Sequence, residues 1–179
     1  VRTAHKTQKP YLAARLAELC LKLNSEHPEA LRHLSYFYTI ASLHQQAIET
    51  AKHFFNNCSS TIWQVQGSSL MLMALLRAGA WLEAEPFVQG HKLLVKELVQ
   101  NPPETIKPGY ASYILISNFF LPYLEDKPQE NRWLHNQVAQ LFQNSFQTAH
   151  SAIVELPWNN QRETNRPLKI GYIAHTLRE

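Results

Sequence analysis

The sequence predicts an all-α fold, an αα-solenoid of helical hairpins that ends in one short strand. Three observations predict it. Apolar residues recur at helical spacing in successive segments between Tyr11 and Phe146. The breaks between those segments carry proline, glycine or asparagine. Leu168 to Ala174 differs from both: it is a short run rich in Ile and Tyr, opened by Pro167, with the look of a buried parallel strand. With 45% apolar and 17% charged residues, the 179-residue chain has the composition of an ordinary folded protein.

Tyr11, Leu12, Ala13, Leu16, Ala17, Cys20 and Leu23 line the first amphipathic helix, which ends before Pro28. Pro28, Glu29 and Ala30 open the second, whose apolar face carries Leu31, Leu34, Tyr38 and Ile40 up to Leu43. In the third, Ala47, Ile48, Ala51, Phe54 and Phe55 follow the same period, and the small residues allow close approach to the helix before it. A fourth starts near Ser60. Gly79 suits its C-terminal cap, because glycine accepts left-handed backbone at little steric cost. The fifth runs to about Val99, where Pro102 and Pro103 forbid continuation. Gly109 to Leu124 predicts a central apolar helix bent by Pro122. Asp126 is placed to cap a last helix, with Pro128 near its first position and Trp133, Leu134, Val138, Leu141, Phe142 and Phe146 in period to about Ala149. The polar stretch 155–167 reads as a connector. These signals divide the chain into helical hairpins over 1–101, transition helices over 102–154, the connector, and a strand region over 168–179.

Leu31, Leu34, Ser35, Tyr38, Ala47, Ala51 and Phe54 resemble the order of large, small and aromatic residues in a tetratricopeptide repeat. Ala51 and Phe54 depart from it in size. Gly79-Ala80-Trp81-Leu82-Glu83-Ala84 marks a second copy, and Ala47 and Ala84 stand 37 residues apart, close to the family's spacing of about 34. Such hairpins stack as a right-handed solenoid whose first helices face a groove. That resemblance implies that Glu29, Arg32, Tyr36 and Thr39 face the groove and bind a protein or peptide, with Arg32 and Tyr36 of the types enriched at binding hot spots. The exposed ends of the repeats offer a route to oligomers.

Helical hairpins, a proline-containing connector and then Leu168-Lys169-Ile170-Gly171-Tyr172-Ile173 are similar to the O-GlcNAc transferase and SPINDLY-like family, whose catalytic region opens with a strand of this form. Asp126-Lys127-Pro128-Gln129-Glu130-Asn131-Arg132 also looks like the transition helix of bacterial members. The resemblance implies a fragment: a recognition arm and the first strand of an α/β domain that transfers N-acetylglucosamine, or fucose as in some relatives, from a nucleotide sugar such as UDP-N-acetylglucosamine to protein hydroxyls. No catalytic residue carries over, because Ala174, His175, Thr176 and Leu177 stand where the family has Ser-Ser-Asp-Phe. Animal members line their groove with asparagines; the matching positions here are His33 and Leu70.

Other chemistries have little support in the residues. The five glycines are dispersed, no phosphate-binding loop is present, and neither paired carboxylates nor His and Cys at metal-ligand spacing occur, so no cofactor or metal site is expected within the chain. The nine histidines are scattered. A formal charge of +3 comes from spread Lys and Arg rather than a basic stripe, which speaks against nucleic acid, including recognition of RNA by helical repeats. No apolar run approaches the roughly 20 residues of a membrane span, and the polar N-terminal stretch lacks the apolar core of a signal peptide, which favours the cytoplasm. Cys20 and Cys58 are expected as core thiols of a reducing compartment. The competing reading is a non-catalytic adapter built from the same repeats.

Overall fold

The computed structural model describes residues 9–103, 106, 110, 114 and 117–149. These are all-helical, in seven helices: α1 Pro10–Leu23, α2 Pro28–Ile40, α3 His44–Asn56, α4 Thr61–Arg77, α5 Trp81–Gln100, α6 Leu121–Leu124 and α7 Pro128–Ala149. The strand expected over 168–174, and the connector before it, lie outside the described residues.

Helix α1 packs on α2 through a stripe of alanines. Ala13, Ala14 and Ala17 are buried against Leu34 and Phe37 of α2, while Tyr11, Leu12 and Leu23 are exposed. The sequence placed Tyr11, Leu12, Ala13, Ala17 and Leu23 on one packed face. Alanines win that face because small side chains let two helix backbones approach closely. Cys20, expected in the core, is exposed for the same reason. Two hydroxyls fasten the helix at its rim: Tyr11 donates to the Ala41 carbonyl at 3.1 Å, and Tyr38 donates to Glu18 at 2.7 Å.

The next four helices form two hairpins in one register. α2 starts with Pro28 in its first turn, and the His27 ring accepts the Ala30 N–H at 3.3 Å. α4 starts behind Ser60, whose hydroxyl accepts from the Trp63 N–H. Both hairpins turn alike. After α2, Ser42 has φ +59, with Ser42 N–H bonded to the Thr39 carbonyl and Leu43 N–H to the Tyr38 carbonyl. After α4, Gly79 has φ +74, with Gly79 N–H bonded to the Leu76 carbonyl and Ala80 N–H to the Leu75 carbonyl. This pair of bonds satisfies carbonyls that a helix end leaves open. The turns lie 37 residues apart, the same offset as Ala47 and Ala84, both fully buried. Close approach in the first hairpin is sealed by Ser35, whose hydroxyl donates to the Ala47 carbonyl at 3.3 Å.

From α1 to α5 each helix packs on the next, and α2 also packs on α4, whereas among the described residues the backbones of α1 and α3, and of α3 and α5, do not approach closely. The first helices of the two hairpins, α2 and α4, thus pack on each other. The principal core runs through α4, α5 and α7, with Val65, Leu72, Leu75, Val95, Leu98, Leu134 and Val138 buried. Gly67 lies where α4 meets α3; an added Cβ there would stand 3.0 Å from the Phe55 Cα.

Of the single bent helix predicted over Gly109 to Leu124, Tyr110 and Ile114 are helical, residues 117–120 form a turn and the short α6 follows, while residues 109, 111–113, 115 and 116 lie outside the described residues. Ser117 bonds the Ile114 carbonyl through both its N–H, at 3.1 Å, and its hydroxyl, at 2.7 Å. Pro122 has no N–H for the Asn118 carbonyl four residues back, which takes the Leu121 N–H instead, at 3.2 Å. Proline thus starts a new helical turn rather than bending an old one. α7 begins at Pro128, with the Lys127 carbonyl accepting the Asn131 N–H at 2.9 Å, one residue beyond the cap expected at Asp126. Leu134 and Val138 are buried as their period requires, whereas Trp133 and Phe146 stay about half exposed. No helix among the described residues is long and apolar enough to cross a membrane.

Candidate recognition surfaces

The four residues expected to face a groove lie on α2, and the structure brings two of them into one ion pair. The Arg32 guanidinium donates twice to one Glu29 carboxylate oxygen, at 2.6 and 3.2 Å, and also lies 2.8 Å from His33 Nε2. Tyr110 arrives from outside the hairpins and donates its hydroxyl to the other Glu29 oxygen at 3.1 Å. Burial would raise the Glu29 pKa, but the hydrogen bond and charge of Arg32, with help from Tyr110, hold it below the usual carboxylate range. Arg32 is only 6% exposed and Thr39 5%; the Thr39 hydroxyl donates to the Ser35 carbonyl of its own helix. Tyr36 is half-buried, edge-on to Phe37 at 5.7 Å. Arg32 and Thr39 are thus part of the packed structure rather than presented by it. The reason is tertiary: α2 packs on α4, and the Tyr110 ring sits on Trp63 of α4 at 5.0 Å while its hydroxyl reaches Glu29.

A second surface lies where α5, α6 and α7 meet. The turn before α6, α6 itself and the first turns of α7 line a shallow, open cleft of about 760 Å³. Phe119, Pro122 and Tyr123 wall one side; Asn131, Arg132 and His135 wall the other. Asn118 and Asn131 line the cleft, are 4% and 7% exposed, and keep carboxamide atoms with no hydrogen-bond partner: both side-chain atoms of Asn118 and Oδ1 of Asn131.

The cleft is held together from below by Lys92. Its ammonium, on a residue 1% exposed, lies 2.8 Å from Glu125 and 2.7 Å from Glu130, and Lys96 adds a contact of 3.1 Å to Glu130. Burial alone would lower the Lys92 pKa; the two carboxylates outweigh it and raise it. The same hydrogen bonds from Lys92 and Lys96 hold Glu130 down to about 2. Beside Lys92, the fully buried His91 places Nδ1 3.1 Å from the Ser68 hydroxyl. Burial pushes its pKa down to about 4; the Asn118 carboxamide and Ser117 backbone face the ring and offset part of this without reaching hydrogen-bond geometry at Nε2. The ring is therefore neutral at neutral pH.

Sequence reasoning missed this polar cluster. One signal was available: His91 and Lys92 fall 37 residues after Phe54 and Phe55, so the second hairpin carries polar residues where the first carries aromatics. Among the described residues no group of three or more His, Cys, Asp or Glu could hold a metal ion. Cys58 is half-buried, donates to the Phe54 carbonyl at 3.0 Å and is pushed up to about 11 by burial, so it holds little thiolate at neutral pH. Comparison with protein-family models, curated proteins and solved structures finds no match.

Proposed function

We propose that the chain is the protein-recognition arm of a cytoplasmic glycosyltransferase of the O-GlcNAc transferase type, in which tetratricopeptide-like hairpins stack as a right-handed solenoid. They would present acceptor proteins to a catalytic region that takes N-acetylglucosamine from UDP-N-acetylglucosamine. The observation that carries the recognition part is the repeated hairpin: two helix–turn–helix units with the same turn bonds and the same 37-residue offset, α2 packing on α4 as first helices of stacked repeats would. A stack of this kind has surface on both layers and no enclosed reaction chamber of its own, which suits binding better than chemistry. The transferase part rests on the resemblance of 168–173 to the opening strand of that family.

The test is sugar transfer by a protein that carries this chain together with the reading frame that follows it, using labelled UDP-N-acetylglucosamine. Removal of residues 1–150 is expected to abolish transfer to protein while leaving UDP binding intact. If transfer to protein survives the deletion, these helices do not select the acceptor. If the following frame encodes no nucleotide-sugar domain, the adapter reading takes its place, supported by the same hairpins.

A further inference from the structure

We propose that the outer side of α1 docks on an anionic membrane surface, with Leu12, Leu19 and Leu23 entering the headgroup boundary and Lys9, Arg15 and Lys22 meeting the lipid phosphates. The first reason is a contrast between two helices of one register. Ala13 and Ala17 of α1, and Ala47 and Ala51 of α3 34 residues later, are all fully buried, so the two helices pack inward alike. Their outer sides differ. Tyr11, Leu12, Leu19 and Leu23 of α1 are exposed, Leu23 by 92%, whereas the positions 34 residues on hold Gln45, Gln46, His53 and Asn57, exposed and polar. Helix α3 has a helix packed on either side, α2 and α4, and still leaves those positions in solvent. A further hairpin helix stacked on α1 in that register would leave its leucines open as well, so what covers them has to lie on the outer side itself.

Charge selects the occupant. Lys and Arg are spread along the chain, but the acids are not: of the fourteen Asp and Glu only Glu18 falls among residues 1–23, against five of the seventeen Lys and Arg. This end therefore carries +4 and the remainder −1. Glu18 is committed to the Tyr38 hydroxyl at 2.7 Å and to Arg15 at 2.6 Å, and the next acid, Glu26, lies in the turn beyond the helix. Lys9, Arg15 and Lys22 are exposed, and each stands three residues from Leu12 or Leu19, the spacing that makes side chains neighbours on a helix. Leucines bordered by cations whose long stems reach back toward water are the pattern of a helix that lies in a bilayer interface, where acidic lipids attract the charge. With 14 residues α1 is too short to span a bilayer and long enough to lie along one.

The inference stands on α1 alone and is independent of sugar transfer. The test is co-sedimentation of the full chain with vesicles of phosphatidylcholine, and of phosphatidylcholine containing about 30% phosphatidylserine, at low salt. Binding to the mixed vesicles is expected at about a millimolar accessible lipid, and roughly tenfold weaker binding to phosphatidylcholine alone. The double variant Leu19→Ser, Leu23→Ser and the single variant Lys22→Glu should each weaken binding to the mixed vesicles about tenfold. Leu82→Ser, at an exposed leucine of α5, should leave it unchanged. Circular dichroism establishes that each variant is folded, and should the double variant fail to fold, Lys22→Glu decides the question. Absence of binding to the mixed vesicles, equal binding to the two compositions, or undiminished binding by the α1 variants would overturn the proposal. So would a leucine-dependent dimer of the free chain in sedimentation velocity without vesicle binding, which would assign the face to a second copy.

Discussion

His91 of α5 stands in the second hairpin where Phe54 of α3 stands in the first. Each is the same distance from the start of its helix, and each is buried, at 0% and 1% exposure. Phe54 meets an aromatic neighbour, the Trp63 ring, edge-on at 5.7 Å. His91 meets the Ser68 hydroxyl and the Asn118 carboxamide instead. The hairpin scaffold is thus kept while its interior changes from greasy to polar at the point where α6 and α7 are attached.

That exchange predicts a pH dependence of stability. The folded-state pKa of His91 lies at about 4, below its ordinary value of about 6.5, so the unfolded chain binds the proton first. Stability is complete above about pH 6.5 and falls as pH drops through the window down to about 4, by up to roughly 3 kcal/mol from this residue. Glu29 and Glu130, both lowered, add their own loss only below the ordinary carboxylate range. Urea unfolding of His91→Phe is expected to flatten the dependence between pH 6.5 and 4 and leave the more acidic loss in place. Equal pH profiles for the two proteins would contradict a neutral buried imidazole.

The two hairpin turns predict opposite effects of exchanging their third-position residues. Ser42 sits at φ +59, where a Cβ is strained, and Gly79 at φ +74, with nothing within 4 Å of an added Cβ. Ser42→Gly should stabilise by about 0.5–1 kcal/mol, and Gly79→Ser should destabilise by about 1 kcal/mol through the backbone alone. Thermal unfolding reads both, and a shift in the same direction for the two would exclude a shared turn.

Truncating Lys92 takes the nearest cation from a buried carboxylate. Lys92→Met leaves Glu125, whose side chain is 10% exposed, with only the more distant and more exposed Lys127 ammonium at 3.7 Å and should cost about 3 kcal/mol. Adding Glu125→Gln removes that charge and should recover part of the loss. A double variant less stable than the single one would show that the ion pair matters less than the packing of the lysine stem.

Gly67→Ala sets two effects against each other. Alanine favours a helix interior over glycine by about 1 kcal/mol. The new methyl would stand 3.0 Å from the Phe55 Cα and 3.1 Å from its Cβ, where backbone must shift. Overpacking of this kind costs about 1–3 kcal/mol, so the variant is expected to be less stable than the parent in denaturant unfolding.

Much of the helical scaffold was legible because its signals are local. Proline at Pro28 and Pro128, the Gly79 cap and the period of Leu31, Leu34, Ala47, Ala51 and Phe54 each act within a few residues and survive into the structure. What failed was decided at longer range. Alanines rather than leucines took the buried face of α1 because a neighbouring helix backbone came close. Arg32 and Thr39 were buried by an adjacent helix and by Tyr110, whose arrival nothing on α2 announces. The cleft residues were hidden for the same reason, since Lys92, Asn118 and Asn131 become one site only when α5, the turn before α6, and α7 are brought together.

The contrast between the two thiols has a practical use. Cys20 lies exposed on the outer side of α1, while Cys58 is half-buried, bonded to a carbonyl and held protonated. A maleimide dye at neutral pH should therefore couple at Cys20 and spare Cys58 in the folded protein, with no cysteine engineering. Peptide mapping of the conjugate would check the selectivity, and the tagged protein would then report partner capture by polarisation.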